Sequence, residues 1–181
     1  ADAEKIIQET FLKGNVIPSL LYQNPQSGKK ILLESAIPFY KLQTRILTKD
    51  LSRIDPESIG DYLAVGGYEA LAKALTLPSD EIIKQIENSR LRGRGGAGFP
   101  TWKKWDVCRK EHSGLKYVVV NGNAADPGSM DDPALMAANP HLILEGLIIG
   151  AYAVQATRGF IYVRTQFKSA LKQMEKAVED A

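Results

Sequence analysis

Lys116-Tyr117-Val118-Val119-Val120-Asn121 and, beyond a long apolar stretch, Gly159-Phe160-Ile161-Tyr162-Val163 are the two runs whose reading decides the fold. Within the first, Tyr117 to Val120 is a continuous aromatic and β-branched run with no polar alternation, the pattern of a strand buried on both faces of a parallel sheet. Between the runs, Asp132-Pro133 and Asn139-Pro140 are helix starts, and the second leads into an apolar segment ending near Ala156. Leu142 to Val154 is interrupted by Glu145 and two glycines, so it reads as a buried helix rather than a membrane span. Strand, helix and strand make a βαβ unit, with parallel strands expected at about 116–121 and 159–165 and a right-handed crossover. Lys168 to Asp180 adds an amphipathic helix. The expected fold class is α/β.

In such sheets ligands collect beyond the carboxyl ends of the strands, so residues 121–128 are expected to face a binding crevice. A second stretch points to the same crevice: Leu91-Arg92-Gly93-Arg94-Gly95-Gly96-Ala97-Gly98-Phe99-Pro100-Thr101 packs four glycines and two arginines into eleven residues. Glycine at this density is costly in helix or strand, but it lets the main chain approach a ligand, present bare N–H groups and adopt positive φ. Residues 90–110 hold Arg90, Arg92, Arg94, Lys103, Lys104, Arg109 and Lys110 against Asp106 alone, a placement suited to an anionic ligand. A flexible surface loop is the other reading, and the stiff Gly98-Phe99-Pro100-Thr101 ending counts against it.

Upstream, residues 2–13 place Ile6, Ile7 and Phe11 near one helical face, and Gly14-Asn15 stops that helix. Residues 16–55 carry few helical repeats and a turn at Asn24 to Gly28, and they read either as an arm lying on a neighbouring body or as a linker. Asp55-Pro56-Glu57 is expected to start a helix, Gly66-Gly67 to break it, Tyr68 to Ala74 to resume it, and Pro78-Ser79-Asp80 to open a third through Asn88. The division this gives is 1–55 helix and arm, 56–90 small helical segment, and 91–181 α/β domain.

A net charge of +2 over 181 residues argues for neither nucleic acid nor a membrane surface as partner. No basic-then-apolar leader opens the sequence, so no secretory signal is expected and the cytoplasm is the default location. Cys108 is alone, which leaves neither an internal disulfide nor a cysteine-held iron–sulfur cluster within these residues.

Arg92 to Thr101, with Lys104-Trp105 beyond, resembles the glycine-rich NADH/FMN loop of the flavoprotein subunit of respiratory complex I and its relatives in NAD-reducing and electron-bifurcating hydrogenases. The resemblance extends to Ile37-Pro38-Phe39-Tyr40, to Ile54 through Leu71, and to Asp126-Pro127-Gly128, Asn139-Pro140-His141, Leu144-Glu145-Gly146 and Gly159 to Arg164. It covers nearly all of the chain and corresponds to the first half of the family's flavin domain with the helical segment before it. It implies FMN and NAD(H) as cofactors, with Gly93, Arg94, Gly95, Gly96, Ala97, Gly98, Phe99, Lys104, Asn121 and Asn123 as the cofactor-binding residues. Phe99 would be the surface on which NADH stacks, or else a hydrophobic plug beneath the loop. Lys104 would stand near the flavin, and Asn121 would bond its polar edge or ribityl chain. The implied partners are iron–sulfur and thioredoxin-like ferredoxin subunits of a redox complex, the clusters lying in those partners or in the remainder of the family protein.

The departures are specific. Where the family reads Asn-Ala-Asp-Glu this chain has Asn121-Gly122-Asn123-Ala124, without either acid, and Arg90 and Trp102 each replace a glycine. Two functions follow. The chain is part of an NADH-oxidising or NAD-reducing flavoprotein that passes electrons through FMN to iron–sulfur clusters, or it is a degenerate paralogue without flavin that serves as a structural or docking subunit. His141 and Glu145, one helical turn apart, read as a capping and packing pair because two side chains without a third make a weak metal signal.

Overall fold

The computed structural model describes residues 2–112, 114–126 and 131–181, and the chain divides into two compact units, Ala1–Ile46 and Leu47–Ala181. In the first, α1 (Asp2–Lys5) widens into a looser turn over Ile6–Phe11, ended at Gly14 with φ +70°. Ile7 and Phe11 of the expected apolar stripe stay exposed. The arm contains a short antiparallel hairpin, β1 (Tyr22–Gln23) and β2 (Lys30–Ile31). The Asn24 side chain closes its turn by accepting the N–H groups of Gln26 at 2.8 Å and Ser27 at 3.1 Å. A one-turn α2 (Pro38–Lys41) follows, with proline in its first turn.

The second unit runs α3 (Ile59–Ala64), α4 (Glu69–Leu75), α5 (Ser79–Ser89), α6 (Thr101–Lys110), β3 (Tyr117–Gly122), α7 (Asp131–Ala138), α8 (Pro140–Val154), β4 (Arg158–Val163) and α9 (Lys168–Asp180). The helix expected at Asp55 starts later, because the Asp55 carboxylate folds onto the N–H of Glu57 in a turn and Ser58 becomes the cap, accepting from the N–H of Asp61. Asn139 caps α8 in the same way through the N–H of Leu142.

β3 and β4 pair in parallel, from Tyr117 opposite Arg158 to Gly122 opposite Val163. The expectation of burial on both faces is corrected: Tyr117, Val119, Phe160 and Tyr162 are exposed, Val119 by 60%, while Val118, Val120, Ile161 and Val163 pack inward. The reason is that the core residues of α7, α8 and α9 pack against the inward-facing set of strand residues. α8 covers the inner sheet face with Leu144 and Leu147 and meets α9 at Ala177, and its other flank carries Ala153 against Ala74, Ile82 and Ile83 of α4 and α5. A Cβ on Gly159 would reach 3.2 Å from the Leu147 side chain, so glycine there allows the close approach of α8 to β4.

Among the described residues no single helix is long and apolar enough to cross a membrane, and α7 and α8, apolar in sum, meet at 102°.

Candidate functional site

The glycine stretch begins where α5 ends. Arg90 closes that helix with φ +56°, a left-handed position ordinarily given to glycine, and turns the chain away. A short neck follows: Arg92 pairs antiparallel with Pro100, the N–H of Gly93 donates to the Phe99 carbonyl at 2.9 Å, and the N–H of Thr101 donates to the Leu91 carbonyl at 3.1 Å. The Arg92 guanidinium donates to the Gly98 carbonyl at 3.1 Å and so braces the loop from within. Arg92 and the N–H of Gly93 are thereby spent on structure.

Beyond the neck the loop is open. Arg94, Gly95, Gly96 and Ala97 are exposed, and among the described residues nothing accepts their N–H groups. Gly96 has φ +103° and Gly98 φ +60°, values that L side chains resist, whereas a Cβ at Gly95 would meet open space without that strain. Consecutive free N–H groups with alternating backbone handedness form a concavity for an anion. Phe99, at the loop's end, is 49% exposed.

The loop runs directly into the first turn of α6, where Lys103 and Lys104 are exposed. Lys103 lies 5.5 Å over the Trp102 ring, and Lys104 has no ion pair among the described residues. Asp106 cannot neutralise this cluster. Its carboxylate is held by Lys110 and Arg109 at the far end of the same helix, and the Lys110 ammonium keeps its pKa below the usual carboxylate range. Trp105 anchors α6 in the core against Gly150 of α8.

Asn121 and Asn123 sit at the carboxyl end of β3. Asn121 is exposed, and its side-chain oxygen accepts the N–H of Asn123 at 3.1 Å, while its amide NH2 makes no hydrogen bond among the described residues. Gly122 is tightly enclosed: a Cβ there would lie 2.6 Å from Met136 Sδ and 3.0 Å from the Tyr162 carbonyl. Ala124 is buried with φ +46°. Among the described residues no hydrogen bond or ring contact joins this turn to the glycine loop, and Pro127 and Gly128 of the expected crevice lie outside the described residues.

A second polar cluster escaped the sequence reading in part. The Glu145 carboxylate takes the Tyr62 hydroxyl and the N–H groups of Tyr68 at 3.1 Å and Leu71 at 3.0 Å, so it caps the N-terminus of α4 from across the fold. His141 pairs through Nδ1 with the Tyr68 hydroxyl at 2.9 Å and stacks on Tyr62 at 5.6 Å. Burial, then the Glu145 carboxylate, pushes the Tyr62 phenol far above its ordinary pKa, and burial lowers that of His141. The capping and packing role expected of His141 and Glu145 holds. The two tyrosines more than seventy residues upstream in the chain leave no spacing signal that could have joined them to it.

A depression of about 430 Å³ near Pro133, Phe167 and Lys168 is apolar and contains none of the candidate residues.

Residues 86–181 match the family described as the Nuo51 FMN-binding domain. The NADP-reducing hydrogenase subunit HndC of Solidesulfovibrio fructosivorans is 46% identical over 141 residues, 78% of this chain and 29% of its own length. An NADH-quinone oxidoreductase subunit of Aquifex aeolicus is 39% identical over 148 residues, 81% of this chain and 34% of its own. Among solved structures, an NAD+-reducing [NiFe]-hydrogenase in the air-oxidised state superposes with a TM-score of 0.60 at 28% identity, over 76% of this chain and 22% of the other. The chain thus spans about a third or less of the length of these relatives.

Proposed function

Because the chain belongs to the Nuo51 FMN-binding domain family, we propose that it supplies one part of a flavin and nicotinamide site in a multi-subunit redox enzyme that oxidises NADH or reduces NAD. The observation that carries this reading is the open loop: free N–H groups at residues 94–97, positive φ at Gly96 and Gly98, and the cations Arg94 and Lys104 beside them. That donor set fits an anionic, flat cofactor such as FMN.

Gly95, Gly96, Ala97 and Gly98 would receive the cofactor along the main chain, with Gly93 setting the neck. Arg94 and Lys104 would offset negative charge, Phe99 would offer an aromatic face to NADH, and Asn121 would donate from its amide with Asn123 beside it. When bound, FMN accepts a hydride from NADH and releases electrons one at a time, which is the cofactor's own chemistry. The chain's part is position and electrostatics. Electrons would leave for iron–sulfur clusters held elsewhere, in partner subunits of the ferredoxin type or in residues corresponding to the remainder of the family protein, since a cluster needs several thiolates and Cys108 is one. As a working division, residues 1–55 act as an arm, 56–90 as a helical segment leading into the loop, and 91–181 as half of the flavin domain.

A second reading, a docking subunit without flavin, draws on Asn123 and Ala124 in place of two acids and on the Asn121 oxygen being engaged in its own turn. One measurement separates them: visible absorbance of the purified native complex. Flavin stoichiometric with this chain, lost in Gly96→Val, supports the first; a colourless subunit in an active complex supports the second.

A further inference from the structure

The Tyr62–Tyr68–His141–Glu145 cluster lies outside the site assigned above, and we propose that it is an acid-sensitive latch that holds the α3–α4 segment to α8 while His141 is neutral. His141 is 2% exposed, wedged between the Tyr62 ring and the Tyr68 hydroxyl, and among the described residues its buried Nε2 has no hydrogen-bond partner. A neutral imidazole tolerates this place, but an imidazolium needs two acceptors or a free carboxylate. Among the described residues, the charged and titratable groups that face it are already engaged. On its own helix Glu145 is committed to the Tyr62 hydroxyl and the N–H groups of Tyr68 and Leu71. From α3 and the start of α4 come the phenols of Tyr62 and Tyr68. From α9 come Lys176 and Asp180, which pair with each other and act on His141 in opposite senses.

Protonation therefore places a charge that lacks an acceptor of its own where Tyr62 of α3 and Tyr68 at the start of α4 meet α8. The relief is to separate them, and the element that can leave is the short α3–α4 pair, which contributes Tyr62 and Tyr68. Gly67 keeps α3 and the start of α4 together as one piece, since a Cβ there would stand 2.5 Å from the Tyr62 carbonyl. The latch matters because this segment leads through α5 into the glycine loop.

The sign follows from linkage. A base whose proton affinity is lowered by folding contributes stability above its unfolded pKa of about 6.5, and that contribution is lost as pH falls below it. Hydrogen exchange of the intact full-length protein, corrected for intrinsic rates, reads this directly. Protection of amides in 62–75 should fall roughly five- to tenfold between pH 7.5 and 5.5 relative to amides of α9. In His141→Phe, which keeps the ring and cannot titrate, the ratio should stay within about twofold, with His141→Gln read in the same way if the phenylalanine variant does not fold. Wild-type protection unchanged at pH 5.5, or the same loss in a folded non-titrating variant, overturns the proposal.

Discussion

The indole of Trp105 rests against the bare backbone of Gly150, its Cζ2 3.3 Å from where a methyl group on that glycine would sit. This contact fixes α6 on α8, and α6 is the helix whose first turn follows the glycine loop. Gly150→Val should push the indole away and lower stability by about 1–3 kcal/mol, the usual range for overpacking a core. Thermal unfolding checks this, and an unchanged Tm would show that α6 is held by other contacts.

The loop glycines should separate by backbone angle rather than by crowding. Gly96 carries φ +103° with open space around its Cβ, and Gly95 has the space without the strain. Gly96→Val should therefore lose a hundredfold or more in nucleotide affinity, the equivalent of a few kcal/mol, while Gly95→Val, with the same bulk and no such strain, should lose far less. NADH oxidation by the assembled complex with an artificial acceptor compares them. Equal losses would mean that side-chain bulk, not conformation, limits the loop.

Arg90 offers a gain. It occupies a left-handed C-terminal cap at φ +56°, so Arg90→Gly should raise stability by about 0.5–1 kcal/mol in thermal or urea unfolding. A decrease would reveal a role for the guanidinium at the base of the loop.

Glu145→Ala strands the Tyr62 hydroxyl and the N–H groups of Tyr68 and Leu71 inside the fold. The expected cost is about 3–5 kcal/mol, seen as a lower urea midpoint at unchanged slope. Glu145→Gln keeps one acceptor and should cost less.

Residues 1–181 alone should bind FMN weakly. Arg92 and the N–H of Gly93 are consumed by the neck and the remaining donors are exposed, so a ring seated on this half keeps much of its surface in water. Fluorescence titration giving a Kd below about 1 μM would show that this half suffices.

The individual elements were legible in the chain because short-range physics writes them. The valine run at 118–120, the apolar run at 142–154 and the run at 159–163 specify a parallel strand pair with a helix between, and glycine density marks the loop. Which sheet face is bare depends on long-range packing, since Val119 and Val120 are alike in sequence and differ in what α8 covers. The same holds within the site. Arg92 and Arg94 read identically and both are exposed, yet the fold engages one guanidinium with the Gly98 carbonyl and gives the other no hydrogen bond among the described residues. Tyr62 and Tyr68 reach Glu145 and His141 only because α8 threads between distant segments, a juxtaposition that tertiary contacts create and no spacing in the chain announces.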